Sequence, residues 1–247
     1  MTALLALARH VGTAVLAGVI TGVAVGGLLG RVVMRISGFS AGPAGVGALT
    51  ANDNRVGEIT LTGTFALIVF VGLGTGIVGG VIYAAVEPWL RRFRPWHGLV
   101  YGAALLATLG FSVIDPSNFD FRRFGAPALN VAMFAALFIA FGVGIAWLFD
   151  QVRARIARGG PGARVIEVLT WPALGLGVLV TGAAGVSAVT SPADSVFPLL
   201  VGFGLLVATF AQWRRLPRAI GYVALASLLL LGTWRTVGGI AELIARI

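Results

Sequence analysis

Seven apolar segments, several near or beyond the roughly 18–20 residues that a helix needs to cross a bilayer, govern what this chain can fold into. They run from Val11 to Gly30, Gly63 to Val86, Gly98 to Ile114, Ala126 to Phe149, Val168 to Val189, Val196 to Gln212 and Ala219 to Trp234. Composition closes off the soluble alternative. Charged residues make up 11% of the 247 and hydrophobic residues 58%, whereas a soluble chain has about 25% charged residues to coat its surface. The expected fold is all-α: a polytopic transmembrane helical bundle of about seven spans, forming one integral membrane domain over residues 1–247.

The third, sixth and seventh segments are short for a span and must borrow flanking residues. Beyond Arg235, Ile240, Leu243, Ile244 and Ile247 repeat at helical spacing. The seventh helix therefore either continues through Arg235 or stops near Trp234. The shorter helix is the expectation, with Arg235 a snorkelling anchor at the interface. The first segment lacks a basic leader and an A-x-A cleavage site, and reads as a retained span.

All 18 basic residues are Arg, which excludes Lys chemistry such as a retinal Schiff base. Their distribution sets orientation. Arg9, the segments holding Arg91, Arg92 and Arg94, Arg153, Arg155, Arg158 and Arg164, and Arg214, Arg215 and Arg218 carry eleven of them on one side. Three acids (Glu87, Asp150 and Glu167) share that side, giving a balance of +8. The other side holds seven Arg and six acids, a balance of +1. Arg in short loops marks the cytoplasmic face, so the N-terminus is expected inside and the C-terminus outside. Trp89, Trp96, Trp147, Trp171 and Trp213 fall near the same inner ends, as interfacial rings should. The net charge of +9 thus points to anionic lipids at the inner Arg-rich loops and not to nucleic acid.

Three outward connections follow. A long loop over 31–62 ends in Ile59-Thr60-Leu61-Thr62, whose alternation is compatible with a short strand or hairpin. A compact polar and aromatic loop covers 115–125, and Ser191–Ser195 is only a turn. The inward arms around Pro88–Pro95 and Gly159–Gly162 read as turn-rich connectors.

Small residues form ladders. Gly18, Gly22, Gly26 and Gly30 recur every four residues in the first span, and Gly72, Gly76, Gly80 and Ala84 in the second. Such positions share one helix face and let two backbones approach, a main source of helix association in lipid. Packing of the first span on the second is the expectation; a homo-oligomer or a membrane partner would use the same face. Gly74-Thr75-Gly76-Ile77-Val78-Gly79 matches the dinucleotide pattern G-x-G-x-x-G but lies inside an apolar helix and not between strand and helix, so no nucleotide cofactor is expected.

Catalytic patterns are sparse. His10 and His97 stand alone at inner span ends and the chain has no Cys, so neither metal-ligand spacing nor a thiol nucleophile occurs. No metal and no cofactor is expected. The outward loops hold more. Arg31 and Arg35 are four apart on one helix face, Glu58 follows in the long loop, and Asp115, Asp120, Arg122 and Arg123 fill the second loop. Guanidinium groups bind carboxylate or phosphate bidentately, so these seven residues form a candidate site for an anionic solute or lipid head group. They would equally pair with one another and clamp the loops.

The stretches Val56-Gly57-Glu58-Ile59-Thr60-Leu61-Thr62-Gly63-Thr64 and Asn118-Phe119-Asp120-Phe121-Arg122-Arg123-Phe124-Gly125 resemble a family of bacterial polytopic integral membrane proteins of no assigned activity. The resemblance covers the first four spans. It implies a bacterial inner-membrane address and carries over no functional residue. Three functions stay open: binding or permeation of an anion at the outer cluster, a structural or regulatory component engaging partners through Gly-lined helices, and a lipid-acting enzyme using Asp115 or Asp120.

Overall fold

The computed structural model describes residues 2–42, 60–114, 126–190 and 218–245. Over these residues the chain is an almost entirely helical bundle with no strand. Helix α1 is continuous and comprises Thr2–Thr21, a π-helical stretch Gly22–Leu29, and Gly30–Ser40. Helix α2 comprises Leu61–Ala66, a second π-helical stretch Leu67–Leu73, Gly74–Leu90 and a closing 3-10 turn, Arg91–Phe93. Helix α3 is His97–Leu109 with a 3-10 turn Gly110–Ser112. Helices α4, α5 and α6 are Pro127–Arg158, Pro161–Thr190 and Arg218–Ala245. Five of these six are long and apolar enough to cross a membrane, and α3 is the shorter one. The sixth apolar segment of the sequence, Val196–Gln212, lies outside the described residues.

Helix α1 packs against α2, α4 and α5, while α3 packs against α4 and α6. The core lies between α1, α2, α3 and α4, around Tyr83, Tyr101, Ile145 and Phe149. The outside is the reverse of a soluble protein: Phe65, Phe70, Leu179, Leu230 and Trp234 are all exposed. Apolar exposure on this scale suits a surface bathed in lipid.

Where α1 meets α2, backbone touches backbone. A methyl group on Gly18 would overlap the Gly76 carbonyl and approach Gly80 to 2.9 Å; one on Gly22 would overlap the Gly72 carbonyl. Gly80 abuts Val15 and Ala14, and Gly26 abuts Thr75. Gly30 meets only a carbonyl of its own helix. The two π-helical stretches run alongside each other here, with Gly27 against Ile68. A second glycine seam joins α3 to α4, where Gly98 and Gly102 press on Val143, Ile139 and Gly142. Gly98 and Gly102 on α3, and Gly142 and Ala146 on α4, are each four apart, so this seam repeats the small-residue spacing of the first.

Several boundaries differ from the sequence expectation. Helix α1 runs ten residues past Gly30, so Arg31–Ser40 is helix and not the start of the long outward loop. Its stop comes where Gly42 adopts a positive φ of 70°, a backbone state suited to glycine. Residues 60–62 of the expected strand are instead a helix start: Thr60 is extended and its hydroxyl accepts from the Gly63 N–H at 3.1 Å. Threonine suits both strand and N-cap, and here the cap decides. Helix α2 passes through Pro88 to Leu90, which shortens the first inward arm. Arg153, Arg155 and Arg158 ride on the last turns of α4 and Arg164 on the first of α5, leaving Gly159 and Gly160, at φ 73° and 95°, as the turn. Finally, α6 does not stop near Trp234 but continues to Ala245. Arg235 is thus inside a helix, its guanidinium 5.5 Å from the Phe111 ring centroid.

Candidate functional site

The densest polar cluster among the described residues forms at the arginine-rich end of the bundle. It starts from a proline. Pro88 has no N–H, so the carbonyl of Ala84, one turn earlier, loses its intrahelical donor. His10 of α1 supplies one: its Nε2 lies 3.0 Å from Ala84 O. Because a carbonyl only accepts, Nε2 carries the proton. The His10 ring also stands edge-on to Phe149 of α4, with centroids 5.3 Å apart.

Glu87 adjoins this pair. It is only 1% exposed, and the Arg91 Nε–H group lies 2.8 and 3.0 Å from its two carboxylate oxygens. Arg153 of α4 brings a second guanidinium to 3.6 Å. Across the α2–α3 turn, Arg94 donates to Asp150 at 2.6 Å, and His97 Nε2 lies 3.5 Å from the other Asp150 oxygen. Arg9 pairs with Glu167 of α5 at 2.8 Å. These contacts tie the ends of α1 to α2 and α5, and those of α2 and α3 to α4. They also consume every acid assigned to this end. Arg92, Arg155, Arg158 and Arg164 meet no carboxylate among the described residues, so the end is cationic.

Below the ion pairs lies an aromatic layer. Tyr83 is edge-on to Tyr101 and to Phe149, at 5.0 and 5.2 Å. The Tyr101 hydroxyl donates to Gly79 O at 2.6 Å. The buried Tyr83 hydroxyl and both His97 ring nitrogens make no hydrogen bond among the described residues. Such buried orphans are costly. They mark the place where this cluster has polar capacity to spare.

The opposite end holds two of the candidates read from the sequence, Arg31 and Arg35. Arg31 and Arg35 lie one turn apart on Gly30–Ser40, and Arg35 stacks on Phe39 at 5.0 Å. Ser37 donates to Asn130 of α4 at 2.7 Å, and Asn130 is buried, which fixes this stretch against the bundle. Glu58, Asp115, Asp120, Arg122 and Arg123 lie outside the described residues. On the same side α3 comes to an early end. Its thirteen α-helical residues span about 20 Å, short of the roughly 30 Å hydrocarbon core. Its last carbonyls would lack partners at membrane depth. Thr236 of α6 meets the Ala107 carbonyl: its hydroxyl lies 3.1 Å from Ala107 O and accepts from Phe111 N–H at 3.1 Å, while Leu106 O already accepts from the Gly110 N–H.

The sequence reading counted Glu87 and Asp150 only in the charge balance of the inner side and placed the two histidines singly at inner span ends. One signal was available for His10 and Glu87: a proline inside an apolar helical pattern implies an orphaned carbonyl four residues back, and a polar neighbour to meet it. No cluster of three metal-ligating side chains occurs among the described residues. Comparison with known proteins finds no matching family model, no matching curated protein and no matching solved structure.

Proposed function

We propose that this chain is a seven-span protein of a bacterial inner membrane, N-terminus inside and C-terminus outside, that binds or passes a small anionic solute or a lipid head group at its outer end. The observation that carries the reading is the pair Arg31 and Arg35 on a helical stretch tied to α4 through Ser37 and Asn130. Binding groups on a rigid element hold their geometry better than groups on a loop, and guanidinium groups one turn apart offer several donors to one phosphate or carboxylate. Arg122 and Arg123 complete the site in this reading, with Glu58, Asp115 and Asp120 setting its selectivity. The excess of arginine over acid at the other end supports the orientation and an attraction to anionic lipids there.

The competing partner-protein reading is weakened by the glycines. Gly18, Gly22, Gly72, Gly76 and Gly80 face one another across α1 and α2, so those faces are already occupied. Native mass spectrometry of gently released protein beside an Arg31→Gln/Arg122→Gln double variant tests the proposal. An anionic adduct kept by the parent and lost by the variant is the expected result. The same adduct on both proteins would contradict it. Turnover of a lipid by purified protein, abolished by Asp115→Asn, would replace it with the enzyme reading.

A further inference from the structure

From a cleft at the arginine-rich end, distant from Arg31 and Arg35, we infer a binding site for an anionic phospholipid of the adjacent leaflet. The cleft encloses about 300 Å³ between α2, α3 and α6, and its lining is overwhelmingly apolar. Along α3 it extends from Val100 to Leu109, about 14 Å at 1.5 Å per residue. One leaflet of hydrocarbon is about 15 Å deep. The cleft therefore has the length of an acyl chain lying in its own leaflet.

Its mouth is polar and positive. Arg91 is committed to Glu87 and Arg94 to Asp150, but Arg92, which lines the cleft, is held by a neutral group. It donates to the Tyr222 hydroxyl at 3.0 Å and stacks on the Phe93 and Tyr222 rings at 4.7 and 5.0 Å. Two aromatic rings and one hydroxyl hold the guanidinium at the rim without neutralising its charge. Beside it, Trp89 packs edge-on to Tyr222 at 4.5 Å. Trp89 also lines the cleft, and its buried Nε1 donor finds no acceptor among the described residues. A phosphate at the rim supplies the counter-charge for Arg92. A zwitterionic head group would bring its own cation to the same rim, so the site selects net negative charge.

The test uses delipidated, full-length protein titrated separately with phosphatidylglycerol and phosphatidylcholine, with bound lipid counted by native mass spectrometry. Phosphatidylglycerol should bind more tightly than phosphatidylcholine. Arg92→Gln should weaken phosphatidylglycerol about five- to tenfold, the worth of one surface arginine, and leave phosphatidylcholine unchanged. Ala104→Phe, which fills the cleft, should reduce both. Lipid-free melting curves of the two variants identify any that fails to fold, and the other then decides. In an Arg31→Gln background the loss caused by Arg92→Gln should persist, which separates the site from the outer one. Equal retention of the two lipids, or unchanged phosphatidylglycerol binding in a folded variant, would overturn the inference. So would efficient cross-linking of Ala104→Cys to Val201→Cys in lipid-loaded protein, because residues 196–212 would then fill the cleft themselves.

Discussion

The His10–Ala84 contact permits an unusually clean test, because the reason for it is a single missing proton. In the parent, Pro88 cannot donate to Ala84 O, and His10 Nε2 does so at 3.0 Å. Replacing His10 by Leu removes that donor and leaves a carbonyl unpaired in a buried setting, at a cost of about 1–3 kcal/mol. It also removes the edge-on contact with Phe149, worth about 0.5–1.5 kcal/mol. The sum is a loss of about 1.5–4.5 kcal/mol. In a Pro88→Ala background the amide of residue 88 takes over the carbonyl. His10→Leu should then cost only the aromatic contact. The coupling between the two sites is the difference, about 1–3 kcal/mol. Equilibrium unfolding in mixed micelles measures all four proteins of the cycle. Nitrogen chemical shifts of His10 should independently show the Nε2-protonated tautomer. A coupling below about 0.5 kcal/mol, the level at which independent sites add, would refute the compensation argument even if both single variants were unstable.

Other substitutions test the remaining contacts by the same unfolding measurement. Gly76→Ala should destabilise by about 1–3 kcal/mol through overpacking against Gly18 and Val19. Gly74→Ala, two residues away with nothing within 4 Å, should be neutral or stabilising by up to about 1 kcal/mol; equal effects would argue against backbone contact between α1 and α2. Thr236→Val should cost about 1–3 kcal/mol by uncapping α3, whereas Thr236→Ser should retain most of that stability. Glu87→Gln should cost about 1–3 kcal/mol, less than a fully buried pair because Arg91 and Arg153 are half exposed. Arg153→Gln, which removes only the 3.6 Å contact, should cost less than the loss of Glu87, and the reverse order would contradict the geometry.

The legible part of this protein is what lipid enforces over long stretches. A run such as Ala126–Phe149 has no soluble solution, and α4 covers it. The ends were harder, because helix and interface share residue types there. Arg153, Arg155 and Arg158 look like a loop by charge, yet an arginine stem can lie along a helix while its head reaches water. Thr236 and Arg235 show the same limit at the other end: nothing near them in sequence indicates that α3 stops short and needs a cap 130 residues away. Glu87 was passed over for a related reason. As one acid among arginines it resembles a solvated interfacial group, and only the approach of α4, carrying Arg153 and Phe149, buries it. The outer candidates divide in two, with Arg31 and Arg35 on a described helix and the five others in segments outside the described residues.

The proposed outer site depends on which end of the bundle faces the cytoplasm, and the absence of cysteine makes that directly measurable. Single cysteines at Ser117, Gly160 and Ile247 would be probed in intact and permeabilised cells with a membrane-impermeant maleimide. Labelling of Ser117→Cys and Ile247→Cys in intact cells, with Gly160→Cys reached only after permeabilisation, is the predicted pattern for seven spans with the arginine-rich end inside. Labelling of Gly160→Cys in intact cells would invert the bundle, and protection of Ile247→Cys alone would contradict the odd number of spans.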